Sequence, residues 1–268
     1  MMDLTTPKIA GILNVTPDSF YDGGCFLVAD NAVKRAVDIV KEGADIIDIG
    51  AFSSRPGAEI ISEEEELERL IPVLDEIRKK LPDTLISVDT FRAKVAEKVV
   101  KDYGVCMIND ISGGGFDDRM LPTVSELNVA YVIMHMKGNP QNLHNTPVYE
   151  DLLKDILYYF SDRIYQSSQF GINDLLIDPG FGFGKTLDQN YELLKELEKL
   201  KIFNRPIYVG LSRKSMVYKL LELSPGEVLP ATTALHMVAL MNGANILRVH
   251  DVKETVQVIK VFNKLNSF

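Results

Sequence analysis

Residues 30–50 read DNAVKRAVDIVKEGADIIDIG, and this stretch holds the unit from which the fold is built. Its first part spaces apolar residues as an amphipathic helix does, and Gly43 then punctuates the chain. The next segment, ADIIDIG, is short and almost continuously apolar, which suits a parallel strand covered on both faces. The run ends on a carboxylate, Asp48, and a glycine.

Working outward, the same kind of strand recurs as KIAGILNV (8–15), LISVDT (85–90), VCMINDI (105–111), VAYVIMHM (129–136), DLLIDPG (174–180), RPIYVGLS (205–212) and ANILRVH (244–250), eight in all with ADIIDIG (44–50). Helical spacing fills the intervals, as in SEEEELERLIPVLDEIRKK, RAKVAEKVVKDYG, DLLKDILYYFSDRIYQSSQFG and NYELLKELEKLK. Gly43, Pro82, Gly104, Gly171 and Gly243 stand at the helix-to-strand connections. Eight such alternations without a Pro/Gly/Ser-rich linker predict one domain over 1–268 of class α/β, a closed (β/α)8 TIM barrel rather than an open doubly wound sheet.

In that architecture, chemistry gathers where the strands end. The ends are Asn14, Asp48, Asp89, Asn109 with Asp110, His135, Asp178, Ser212 to Lys214, and Arg248 with His250. Asp89, Asn109 and Asp178 offer carboxylate and amide groups suited to a flat heterocycle with amino and amide edges. Lys214, Arg248, His250 and Arg55 can hold phosphate. A polar heterocycle with a phosphorylated arm is the implied ligand. Singly, Asp89 and Asp178 could equally be a helix cap and a turn residue, and Asp48, between Ile47 and Ile49, reads as a structural partner beneath the site.

Composition narrows the function classes. Against 29 Lys plus Arg stand 38 Asp plus Glu, a formal net charge of −9, so no general basic field points to nucleic acid or an anionic membrane. The two cysteines, Cys25 and Cys106, form no metal or redox motif and read as small apolar fillers. The N-terminal residues lack a secretory pattern, and no apolar run reaches the roughly 18 residues of a membrane span, so the expected location is cytoplasmic. DPGFGFGKT is no Walker loop, since three residues rather than four separate Gly180 from Gly184, and Lys185 breaks the dinucleotide-binding spacing too. SEEEELERL reads as the exposed first turns of a helix.

Taken together, GILNVTPDSFYDGG, DIGAFSSRPGA, SVDTFRAKVA, INDISGG, MHMKGNPQN, DPGFGFGKT, VGLSRKSM and ILRVHDV resemble, in order over nearly the whole chain, the motifs of the dihydropteroate synthase family. The resemblance implies condensation of dihydropterin pyrophosphate with para-aminobenzoate to dihydropteroate, with loss of pyrophosphate. It implies a pterin site of Asp89, Asn109, Met134, Asp178, Phe183 and Lys214, and a pyrophosphate site of Asn14, Ser54, Arg55, Arg248 and His250. Phe20, Pro56 and Ser215 match the aminobenzoate pocket, and Asn14 matches the protein ligand to Mg²⁺. Catalytic roles fall to Asp22, Arg55 and Lys214, with loops 16–27 and 51–60 as lids and a homodimer formed through the last helices. One position departs from the family pattern: Phe52 stands where a carboxylate is usual. The competing readings are a pterin-binding methyltransferase of the methyltetrahydrofolate type, which would not require the first two loops or the Ser-Arg-Lys segment, and a non-catalytic pterin-binding paralogue, in which Asp22, Arg55 or Lys214 would be eroded whereas all three are present.

Overall fold

The computed structural model of the chain describes residues 2–15, 25–52, 61–138 and 148–267, without the side chains of 25–28. Strands β1 (Lys8–Asn14), β2 (Ile46–Gly50), β3 (Leu85–Asp89), β4 (Met107–Asp110), β5 (Ala130–Met134), β6 (Leu175–Asp178), β7 (Tyr208–Val209) and β8 (Ile246–Val249) all fall inside the stretches read from sequence. Between and after them run α1 (Cys25–Glu42), α2 (Glu63–Lys80), α3 (Ala93–Tyr103), α4 (Met120–Leu127), α5 (Leu152–Gln169), α6 (Leu187–Lys195), α7 (Ser215–Leu221), α8 (Leu229–Met241) and α9 (Val252–Leu265). The strands pair in parallel in the order β6-β5-β4-β3-β2-β1-β8-β7. A parallel bridge of Ile177 with Ile207, where the Ile177 N–H donates to the Pro206 carbonyl at 3.0 Å, joins the two ends. The barrel is thereby closed, as the (β/α)8 TIM reading requires.

Strand side chains alternate in direction, and here the alternation sorts the sequence into two cores. Ala10, Ile46, Met107, Val132, Leu176, Tyr208 and Ile246 form one buried apolar cluster inside the barrel. Their neighbours Ile9, Ile47, Ile108, Ile133, Ile177, Val209 and Leu247 belong to the larger cluster that packs the outside of the barrel against the helices. Full burial of each such aliphatic side chain contributes roughly 1.5–3 kcal/mol. Two residues farther along each strand from the inner cluster, the side chains become Ile12, Asp48, Asn109, Met134, Asp178 and Arg248, with Asp89 at the same level on β3 above Ser87. A polar rung therefore lies directly on an apolar floor.

The helix ends are locally encoded. Ser62 Oγ accepts the Glu65 N–H at 3.1 Å at the start of α2, and Thr186 with Gln189 forms a reciprocal cap on α6. Three differences from the sequence reading stand out. Helix α1 starts at Cys25, so residues 25–27 belong to it and not to the first loop. NYELLKELEKLK divides into α6 and a 3-10 helix, Leu197–Phe203, whose three-residue spacing buries Leu197 and Leu200 together. The acidic run is not wholly exposed: Glu66 lies on the helix face of Leu70, Val73 and Ile77 and is fully buried, paired with Arg92.

Candidate active site

The inner rung is tied together by two charge clusters. In the first, Asp48 Oδ2 accepts from Arg248 Nε at 2.5 Å and from Asn109 Nδ2 at 3.2 Å, while Arg248 Nη2 donates to Asp89 Oδ2 at 2.9 Å. Asp48 is completely buried, which agrees with its reading as a supporting residue beneath the site. Burial pushes the Asp89 carboxyl up to about 7 despite the opposing pull of Arg248, and the nearby carboxylates of Asp48, Glu66 and Asp110 push the same way. Arg248 itself is shifted upward: Asp48 and Asp89 outweigh the cost of burying it.

The second cluster joins β6 to β7. Asp178, buried at the end of β6, accepts the Gly180 N–H on Oδ1 at 2.7 Å. Burial raises its pKa, while Lys214, Lys185 and Arg248 pull it down. Lys214 donates to the Phe181 carbonyl, and its Nζ lies 4.5 Å from the centre of the Phe183 ring. Desolvation brings Lys214 down to about 8, against the attraction of Asp178. Met134 pairs in register with Asp178 and is buried beside this cluster. Gly180 has φ +69°, and a Cβ there would stand 1.9 Å from the His135 carbonyl oxygen, so only glycine fits the turn.

The rim is reached one step higher. Asn14 ends β1 opposite Gly50 of β2. A Cβ on Gly50 would sit 3.8 Å from Asn14 Oδ1 and 3.9 Å from Asp89 Oδ2, so Asn14 and Asp89 flank the same point of β2. His250 Nδ1 lies 3.0 Å from Ser212 Oγ, which also accepts the His250 N–H at 3.2 Å. Arg213, at φ +55°, grips Asp251 through two bonds of 3.1 and 2.5 Å, linking the turn that carries Lys214 to the one that carries His250. Ser215 is the first residue of α7 and is half-buried.

Of the residues implied by resemblance, Asn14, Asp89, Asn109, Met134, Asp178, Phe183, Lys214, Ser215, Arg248 and His250 therefore gather at one end of the barrel. Phe20, Asp22, Ser54, Arg55 and Pro56 lie outside the described residues. The flanks of 53–60 are anchored: Arg69 Nη1 donates to the Ala51 carbonyl at 3.1 Å, and Arg92 donates to the Ile61 carbonyl. Phe52 packs edge-on against Phe91 at 5.5 Å, and Phe91 against Phe116 at 5.4 Å, so an aromatic row stands where a carboxylate is usual.

Strand parity also removes two strand-end residues from the rung. Asp110 points the other way from Asn109 and accepts from Ser112, the Gly114 N–H and the Tyr131 hydroxyl, holding the β4–α4 turn. His135 packs edge-on against Tyr159 of α5 at 4.9 Å, and burial holds it well below the ordinary imidazole range. Two residues were missed in sequence. Tyr208 is fully buried under Asp48 and Arg248, a position that counting inward from Arg248 along the strand pattern would have found. Lys185 donates to three backbone carbonyls of the β6–α6 turn and the end of β5, and nothing in its spacing signals this.

No described helix is long and apolar enough to cross a membrane. Residues 10–250 match the family described as pterin binding enzyme. A dihydropteroate synthase of Escherichia coli is 45% identical over 262 residues, covering 97% of this chain and 92% of that protein. The structure superposes on that of a Yersinia pestis dihydropteroate synthase with a sulfonamide drug complex at a TM-score of 0.93 and 43% identity, covering 100% of this chain and 97% of that one. A Clostridium difficile dihydropteroate synthase, crystallised in the presence of pteroic acid, gives 0.94 and 38%, each chain covered to 100%. The chain therefore belongs to the dihydropteroate synthase family of pterin-binding enzymes.

Proposed function

We propose that the chain, as one pterin-binding domain over 1–268, condenses dihydropterin pyrophosphate with para-aminobenzoate, releasing pyrophosphate and forming dihydropteroate. The observation that carries this reading is the inner rung, in which Asp178, Lys214, Asn109 and Asp89 converge above an apolar floor. A carboxylate and an ammonium at one end of the barrel match the donor and acceptor edges of a pterin, and the Phe183 ring and Met134 supply apolar contact.

The exocyclic carbon–oxygen bond of the pterin substrate breaks, with the electron pair leaving on pyrophosphate. The resulting cation is delocalised into the ring. The neutral aromatic amine then forms the carbon–nitrogen bond and loses a proton. No activated protein nucleophile is required. Asp22 stabilises the developing cation or orients the amine, and Arg55, Ser54, Arg248 and His250 take the leaving group. Phe20, Pro56 and Ser215 enclose the aminobenzoate.

Asn14 is the residue that would hold Mg²⁺: its amide oxygen, at the end of β1, is a hard neutral ligand suited to a cation that otherwise takes phosphate oxygens and water. Among the described residues no group of three His, Cys, Asp or Glu forms a cage of its own. When bound, the ion would neutralise charge on the departing pyrophosphate.

The proposal extends to a cytoplasmic homodimer. Helix α8 leaves Pro230, Ala234, Val238 and Met241 exposed along one face, with Leu220, Leu221, Val261 and Leu265 exposed on α7 and α9.

The decisive experiment mixes the pure protein with Mg²⁺, dihydropterin pyrophosphate and para-aminobenzoate and monitors pyrophosphate and dihydropteroate together. Absence of product at every magnesium concentration refutes the reading. Asp178→Ala is expected to lose pterin affinity, whereas Asp22→Ala lowers turnover with affinity largely kept. Equal losses of both parameters in the two variants would contradict this division of roles.

A further inference from the structure

Lys185 stands at the end of the β6–α6 turn, and among the described residues no carboxylate lies within ion-pair reach of it. Its ammonium donates instead to the carbonyls of Gly180 at 2.8 Å, Phe183 at 3.2 Å and His135 at 3.4 Å. These contacts close the turn on itself and fasten it to the end of β5. The same turn presents the Phe181 carbonyl to Lys214 and the Phe183 ring to its ammonium, and the Gly180 N–H to Asp178. One short segment thus contacts both Asp178 and Lys214, and Lys185 fastens that segment.

We propose that Lys185 is a positioning residue of the pterin site, which holds the 180–183 turn in place and supplies Asp178 with a second positive charge beside that of Lys214. This rests on the pterin-binding reading of that site. The charge and the hydrogen bonds are separable functions. Three carbonyls could be met by any donor group, but from the position of Lys185, which donates no bond to Asp178, only a cation adds to the Gly180 N–H in favouring an ionised Asp178. The groups facing Asp178 are Lys185 from its own turn, Lys214 from the β7–α7 turn, Arg248 from β8 and the Tyr208 phenol from β7, with neutral His135 at the end of β5. Burial presses Lys185 down to about 7 while Asp178 holds it up, so the two are coupled.

The test compares Lys185→Gln, which keeps N–H donors without charge, with Lys185→Met, which keeps neither, and Lys185→Arg, which keeps both. Binding of hydroxymethyl-dihydropterin, lacking the pyrophosphate, is measured by calorimetry across pH, with thermal melts as control. Steady-state kinetics is measured beside it. Lys185→Gln should melt near the unmodified protein yet bind the pterin about tenfold more weakly, with its acid limb moved about one unit upward. KM for the pterin substrate should rise by a similar factor, with kcat changed by less than about threefold. Lys185→Arg should keep the acid limb in place, and Lys185→Met should lose both affinity and melting temperature. Lys185→Gln binding like the unmodified protein, or Lys185→Arg shifting its acid limb as Gln does, overturns the role of the charge. If the unmodified protein binds no pterin, the reading of the site falls and this proposal with it.

Discussion

Arg248 gives the sharpest structural prediction, because it is placed between two carboxylates of the rung. Its Nε reaches Asp48 and its Nη2 reaches Asp89, at 2.5 and 2.9 Å. Arg248→Met keeps much of the side-chain volume but leaves two carboxylates without their shared cation. Breaking a fully buried ion pair costs about 3–5 kcal/mol. The Arg248 side chain retains 21% of its exposure, so the lower end, about 3 kcal/mol, is the expected loss. For a chain of this size that corresponds to a fall in melting temperature of roughly 6–12 °C. The deficit should depend on pH. With Arg248 present, burial already places Asp89 at about 7, against 3.8 when free. A carboxyl raised in the folded state gives stability that is full below the unfolded value and is lost as pH rises through the folded one. Removing Arg248 raises the folded value of Asp89 further, so the window extends to higher pH and the deficit of Arg248→Met should shrink on acidification from about pH 8 to about pH 5. Urea unfolding at several pH values, with Arg248→Met/Asp48→Asn as the compensated double variant, measures it. A loss below about 1 kcal/mol, a deficit independent of pH, or no recovery in the double variant would refute the assignment of Arg248 as the brace of the rung.

Other outcomes are set by the same geometry. Gly180→Ala must displace the turn from the His135 carbonyl, since its Cβ would start 1.9 Å away; with left-handed strain of about 1–3 kcal/mol added, a clear drop in melting temperature and a pterin KM raised at least about tenfold are expected. Burial holds Lys214 at about 8, so its ammonium is lost as pH rises through that value; pterin affinity should decline above it, and Lys214→Met should abolish this alkaline limb in calorimetric titrations. Phe52→Ala removes one edge-to-face contact with Phe91 and should cost about 0.5–1.5 kcal/mol beyond the lost burial, read from the unfolding midpoint.

Periodicity is what made the fold legible in the sequence. The runs of apolar residues placed all eight strands, because parallel strands covered on both faces leave little room for other patterns. The polar strand ends were legible for the same reason, yet polarity alone does not give their direction. Asp110 and His135 stand one residue beyond Asn109 and Met134 and therefore point to the helices, which alternation alone would have revealed. Glu66 shows the converse limit. A run of four glutamates looks solvated, but the turn of 3.6 residues places the last of them on the buried face, where Arg92 meets it. Lys185 was out of reach because its partners are carbonyls, which every residue carries and no sequence pattern marks.

The charges of the rung explain why the proposed reaction needs charges besides its own. Three carboxylates, Asp48, Asp89 and Asp178, are set against three cations, Arg248, Lys185 and Lys214. Their formal charges cancel. An interior of this kind suits a neutral heterocycle, whose edges find donors and acceptors without bringing in a charge to be desolvated. It has little charge to spare for departing pyrophosphate, because the guanidinium of Arg248 is already shared by two carboxylates and the Lys214 ammonium donates to the Phe181 carbonyl. In the proposed reaction, Arg248 therefore takes only part of the leaving group's charge, and the rest would be met by His250 at the rim, by Arg55 and by Mg²⁺ held at Asn14. Recognition of the ring and stabilisation of the departing charge are thus assigned largely to different residues, which is why a substitution such as Asp178→Ala should weaken binding while Asp22→Ala slows the chemistry.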